Sequence, residues 1–237
     1  MIQFSSQLFY FGLQSCLICG SYRVAEIEMC ELCTRKLENK IDLFETAIVE
    51  KELCINFSVY SLIRWIPAES DFLSRLFLRL KGDQRKNIWN LIAALLAKEL
   101  YKENKFYPLR KNAVITSCPS KTGQPDHAEQ LAKALSETLS IPILPLIKWN
   151  DKNSNGFQRR MNRQERFSFK EEQHVKFTRN PDYSEIHNPA KTYIFVDDVI
   201  TTGATAMQAY MALKKPKNFM GLTLGYRAFL ASKPSFW

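Results

Sequence analysis

The chain has 237 residues, enough for one sizeable α/β domain with a small appendage, and its 46% hydrophobic content excludes a disordered chain. Its formal net charge of +9 is uneven: residues 1–53 hold five basic and eight acidic side chains, residues 72–111 ten and three, and residues 141–180 nine and four. A basic body behind an acidic head points to an anionic partner, whether phosphate ligands, nucleic acid or an anionic membrane surface.

Residues 4–13 are apolar and aromatic. They lack a preceding basic residue and fall well short of the roughly 20 residues that span a bilayer, so they read as a packed arm, not as a signal peptide or a transmembrane segment. The cytoplasm is the expected compartment.

Four of the six cysteines follow as CLIC and CELC: Cys16, Cys19, Cys30 and Cys33. Each C-x-x-C turn aims two sulfurs at one point, and two such turns supply the four-thiolate tetrahedron that Zn²⁺ prefers. Metal and thiolates together replace a core that so short a segment lacks. A redox centre needs only one C-x-x-C, and a catalytic zinc keeps an open position that four cysteines close, so the expected cofactor is structural Zn²⁺. Cys54 and Cys118 read as small buried hydrophobes.

Residues 34–53 read as a charged helix or linker, and 57–65 as a strand or hairpin. FLSRLFLRL, residues 72–80, sets Phe72, Leu73, Leu76, Phe77 and Leu80 at helical spacing, and Lys81-Gly82-Asp83 ends that helix. A second helix carries Ile88, Leu91, Ile92, Leu95, Leu96 and Leu100 on one face, with Lys98 and Lys102 opposite. AVITS (Ala113–Ser117) reads as a central buried strand, followed by a turn at Cys118-Pro119-Ser120-Lys121. Asp126-His127-Ala128-Glu129 resembles a capping box opening a helix to about Leu139, which makes His127 a surface residue with no catalytic part. Residues 141–147 read as an edge strand because of Pro142 and Pro145. Residues 150–192 are polar, basic and poorly periodic, as in a long loop or hood. The strand at 193–196, a helix at 206–214 and a strand at 220–224 close the chain. Strand–helix–strand alternation predicts an α/β fold: a parallel sheet flanked by helices, behind a small N-terminal zinc-binding domain. The expected boundary separates 1–53 from 54–237.

The segment YIFVDDVITTGAT, residues 193–205, carries the chemistry. A hydrophobic strand delivers Asp197 and Asp198 to its carboxyl end, where open α/β sheets bind ligands. A turn of Thr201, Thr202, Gly203, Ala204 and Thr205 then enters a helix N-terminus, whose free N–H groups and dipole favour anions. Hydroxyl and amide donors for phosphate therefore stand beside carboxylate acceptors for sugar hydroxyls, the pattern of a phosphorylated-ribose site.

The same segment resembles the phosphoribosyl-pyrophosphate (PRPP) signature of the type I phosphoribosyltransferases: a hydrophobic run, two acidic residues, a hydrophobic residue, any residue, Thr-Thr-Gly, any residue, then Thr or Ser. The resemblance implies a type I phosphoribosyltransferase-like sheet. It also implies that Asp197 and Asp198 hold the ribose hydroxyls, that Thr201, Thr202, Gly203, Ala204 and Thr205 cradle the 5′-phosphate, and that Mg²⁺ accompanies PRPP. Ser120 and Lys121 fall where that family contacts pyrophosphate.

Joined to a four-cysteine head, the loop makes nearly the whole chain similar to the ComF family of competence proteins. Leu80-Lys81-Gly82-Asp83 is similar to that family's Leu-Lys-aromatic segment without the aromatic residue. Gln158, Met161, Glu165 and Arg166 are similar to its Gln…Leu…Glu-Arg segment. The family's Arg-Gly-Phe-Asn-Gln stretch is replaced by Asp126-His127-Ala128-Glu129-Gln130. The resemblance implies a cytosolic protein of natural transformation that handles incoming single-stranded DNA, with cytosolic DNA-uptake proteins or the inner face of the membrane as further partners. Residues 156–170, GFQRRMNRQERFSFK, fit DNA binding: Arg159, Arg160, Arg163 and Arg166 suit phosphates, and Phe157, Phe167 and Phe169 suit base stacking. A solvated basic face with core phenylalanines is the plain alternative. Two other readings stay open: a phosphoribosyltransferase moving ribose 5-phosphate from PRPP to a nucleobase or related acceptor, and a regulatory scaffold that senses PRPP.

Overall fold

The computed structural model describes residues 15–21, 29–50, 55–66, 71–80, 86–103, 112–120, 126–150, 177–186 and 190–227. In chain order these form α1 (Glu31–Glu38), β1 (Phe44–Glu50), β2 (Ile55–Trp65), α2 (Asp71–Leu80), α3 (Lys86–Lys102), β3 (Ala113–Ser117), α4 (His127–Leu139), β4 (Ile147–Trp149), β5 (Phe177–Arg179), a 3₁₀ turn (Pro181–Ile186), β6 (Thr192–Ile200), α5 (Ala204–Ala212) and β7 (Asn218–Arg227). Five strands make a central sheet in the order β1-β2-β7-β6-β3. The pairs β2–β7, β7–β6 and β6–β3 are parallel, and only β1 runs antiparallel at its edge.

A parallel sheet has both faces covered, so its inner strands are apolar on both sides. On β6, Ile194 and Val196 join the core formed with α2, α3 and α4, while Tyr193 and Phe195 join the core formed with α5, β4 and β5. The helices meet the first core as their spacing predicts. Leu73, Leu76, Phe77 and Leu80 are buried on α2, and Ile88, Ile92, Leu96 and Leu100 on α3, with Trp89, Ala93 and Ala97 added. The cysteine head belongs to this same core through Cys16, Leu17, Ile18, Met29, Cys30, Cys33 and Leu37.

Three expectations need correction. The segment 34–53 is not one helix or linker: α1 ends at Glu38, and residues 44–50 form the edge strand β1. Among residues 44–49 only Ile48 is buried, so the sequence gives little sign of a strand; pairing from Phe44↔Ser61 to Glu50↔Ile55 imposes it. The strand AVITS closes the five-strand order instead of lying at its centre. Its outer side is covered by 141–146, through Ile115 N–H to Pro142 O and Leu144 N–H to Ile115 O, both 2.9 Å. That covering segment makes only a single bridge, Ile115↔Ile143, because Pro142 and Pro145 have no N–H to give. The next strand, β4, instead pairs antiparallel with β5 in a separate two-stranded sheet.

One irregularity positions the functional edge. The ladders lapse at Asp198, Leu224 and Leu62, resuming at Val199↔Gly225 and Ile63↔Gly225. Leu62 and Ile63 both pack into the core formed with α2, α3 and α4.

Candidate functional site

The carboxyl ends of β3 and β6 lie side by side. Ser117 pairs with Val196, and the Cys118 N–H donates to Val196 O at 2.8 Å, which sets the turn at Cys118–Ser120 beside Asp197. The Trp149 indole N–H anchors that turn by donating to Pro119 O at 2.6 Å. After Ile200 the chain turns through Thr201, Thr202 and Gly203 into α5. Gly203 is in the left-handed region at φ 80°, which suits glycine alone at low cost. It also lies against β1, where an added Cβ would fall 2.2 Å from Ile48 Cδ1. Helix α5 opens with no side-chain cap from Gly203, and the Ala204 N–H reaches Thr202 Oγ1 at 3.4 Å.

Asp197, Thr201, Thr202, Gly203, Ala204 and Thr205 line one cleft, walled by Val59 and Phe195 and floored by Thr223. Thr223 is buried and its Oγ1 lies 2.7 Å from Ser61 Oγ, so one buried hydroxyl pair underpins the cleft across β2 and β7. The two neighbouring carboxylates diverge. Asp197 lines the cleft, while Asp198 Oδ2 faces His127 Nε2 on α4 at 3.7 Å. Each carboxylate also accepts the following backbone N–H: Asp198 N–H to Asp197 Oδ1 at 2.9 Å and Val199 N–H to Asp198 Oδ1 at 2.8 Å. Desolvation, with the charge of Asp198 added, pushes the Asp197 carboxyl well above its ordinary range.

The N-terminus of α4 is therefore part of the site. Asp126 caps it, accepting from Ala128 N–H at 3.1 Å and Glu129 N–H at 3.3 Å. Desolvation raises the Asp126 carboxyl too, and Asp198 adds to that rise while His127 and the amides oppose it. The sequence reading of His127 as an exposed bystander is corrected: its side chain is 26% exposed and faces Asp198. Thr223 and Ser61 were missed because hydroxyls inside apolar strands carry no local pattern.

The cysteines form a second centre. The Sγ atoms of Cys16, Cys19, Cys30 and Cys33 all lie within 4.8 Å of one another, with Cys19 and Cys30 at 3.6 Å. A zinc tetrahedron with bonds of about 2.3 Å has sulfur–sulfur edges of about 3.8 Å, so the donor set and its spacing fit a four-thiolate metal. The first turn is tight, with Cys16 N–H to Ser21 O at 2.7 Å, Gly20 N–H to Cys16 O at 2.8 Å and Gly20 at φ 74°. Burial raises the Cys16 thiol, but N–H groups of Cys19, Cys30 and Ile18 outweigh it and bring the thiol to about 6. Burial and the neighbouring cysteines push Cys33 up.

Lys121, Cys54, Lys81–Asp83 and the four arginines Arg159, Arg160, Arg163 and Arg166 lie outside the described residues. Among the described residues no helix is long and apolar enough to cross a membrane. No protein-family model matches the chain, and no curated protein matches it.

Proposed function

We propose that the chain binds a phosphorylated ribose, PRPP or ribose 5-phosphate, in the cleft between β6 and α5 on a type I phosphoribosyltransferase-like fold. The observation that carries this is the convergence of a partly desolvated carboxylate, Asp197, with Thr201–Thr205 at an uncapped helix N-terminus. The amides and hydroxyls of the turn suit the 5′-phosphate, and Asp197 suits a ribose hydroxyl. Mg²⁺ would travel with the pyrophosphate of PRPP, where it neutralises charge; Asp197, the one carboxylate among the described residues lining the cleft, matches an ion held mostly by phosphate oxygens. The sulfur geometry favours Zn²⁺ in the four-cysteine head.

The wider reading is a ComF-like protein that handles single-stranded DNA in the cytosol during DNA uptake, supported by the zinc-type head, the ribose loop and the +5 balance of residues 141–180. Calorimetry with PRPP and Mg²⁺ tests the first part: saturable binding in the wild type that is lost in Asp197→Ala is expected, and no binding at millimolar PRPP refutes it. Anisotropy with labelled single strands tests the second, and absence of salt-dependent binding at moderate ionic strength refutes that part alone. Pyrophosphate release from PRPP on addition of a nucleobase would move the reading to a phosphoribosyltransferase.

A further inference from the structure

Asp198 is held at both oxygens from two different elements. Its Oδ1 accepts the Val199 N–H within β6, and its Oδ2 faces Nε2 of His127, the first residue of α4. At 3.7 Å the second contact is too long for a direct hydrogen bond and is an ion pair when His127 is protonated. The charged groups facing this point among the described residues are Asp126 and His127 from α4 and Asp197 and Asp198 from β6. Two carboxylates, Asp126 and Asp198, therefore interact with one imidazole. Asp198 also interacts with the neighbouring Asp197 carboxyl, and like charges at that spacing repel.

Resting on the ribose-binding reading, we propose that His127 is a positioning residue of that site: it holds the Asp198 carboxylate on the α4 face, to which the strand's alternation sends it, while Asp197 faces the cleft. Strand alternation sends Asp198 to the same face as Ile194 and Val196, which pack in the core of α2–α4. His127 acts through Asp198 and needs no contact with the ligand.

The test combines binding with a spectroscopic readout in the full chain. His127→Ala is expected to weaken PRPP–Mg²⁺ binding about three- to tenfold, the scale of a partly buried charge pair; alanine suits a helix, so the fold persists. Gln and Asn are neutral and 3.7 Å exceeds a direct hydrogen bond, so neither His127→Gln nor His127→Asn should recover wild-type binding. His127→Ala and Asp198→Asn should be non-additive. The chain has three histidines, and in ligand-free protein Asp198→Asn should shift the Nε2 resonance of only the one assigned by His127→Gln. Unchanged binding in His127→Ala, or strict additivity with Asp198→Asn, overturns the proposal while leaving the ribose reading intact. Wild-type protein that binds no PRPP overturns both, even if the Asp198→Asn shift shows that the pair exists.

Discussion

Replacing Gly203 by alanine is expected to destabilise the protein by about 1.5–3.5 kcal/mol. Two terms make up this figure. A non-glycine residue in the left-handed region, which Gly203 occupies at φ 80°, costs about 1–2 kcal/mol. The new Cβ would also fall 2.2 Å from Ile48 Cδ1 and 3.2 Å from Ile48 Cγ1. The Cδ1 methyl is the free end of its side chain, so Ile48 yields by leaving its rotamer at about 0.5–1.5 kcal/mol. For a chain of this size each kcal/mol lowers the melting temperature by about 2–4 °C, so a fall of about 3–14 °C is expected in thermal unfolding followed by circular dichroism. A second variant separates the terms. Ile48→Val removes the offending methyl and by itself costs about 0.5–1.5 kcal/mol. In the Gly203→Ala background it should cost less or restore stability, because it relieves the collision. The reasoning is refuted if Gly203→Ala melts within about 1 °C of wild type, or if Ile48→Val costs the same in both backgrounds.

Asp197→Asn should change how stability depends on pH. The folded state holds the Asp197 proton more tightly than the ordinary value of 3.8 allows, so the stability this group contributes is present below that value and is lost as pH rises through the raised one. The Asn variant should therefore melt higher than wild type at neutral pH and show a flatter pH profile, while losing PRPP affinity; equal or lower melting at neutral pH would contradict the desolvation argument. Metal removal by a strong chelator, or Cys33→Ser, should lower the melting temperature of the whole chain, because Cys16, Cys30 and Cys33 share the core of α2–α4. At free zinc a thousandfold above Kd the stabilisation is about 4 kcal/mol, and metal analysis should find one ion per chain. Thr223→Val should cost about 1–3 kcal/mol by leaving the buried Ser61 hydroxyl unpaired. Ser61→Ala should cost less, since Thr223 Oγ1 keeps a 3.4 Å contact to Gly225 O, and the double variant should be nearer to neutral than Thr223→Val; equal costs from the two single variants would count against this account.

Much of the frame was legible in the amino-acid sequence because its signals are local. The doubled C-x-x-C spacing alone brings four thiols together, and the structure closes them to within 4.8 Å. The apolar spacing on α2 and α3 names the buried face of each helix. Asp126 caps α4 as its sequence context suggests. The run at 193–200 followed by Thr-Thr-Gly places a carboxylate and a donor-rich turn at one strand end, since a strand and the turn after it are contiguous.

Tertiary structure decided the rest. The edge strand β1 exists through its pairing with β2, since among residues 44–49 only Ile48 is buried. The hydroxyls of Ser61 and Thr223 meet only because β2 and β7 pair in parallel. Above all, Asp197 and Asp198 are equivalent in sequence and different in the fold. One lines the cleft and the other faces His127, because a strand sends successive side chains to opposite faces and only packing decides what waits on each.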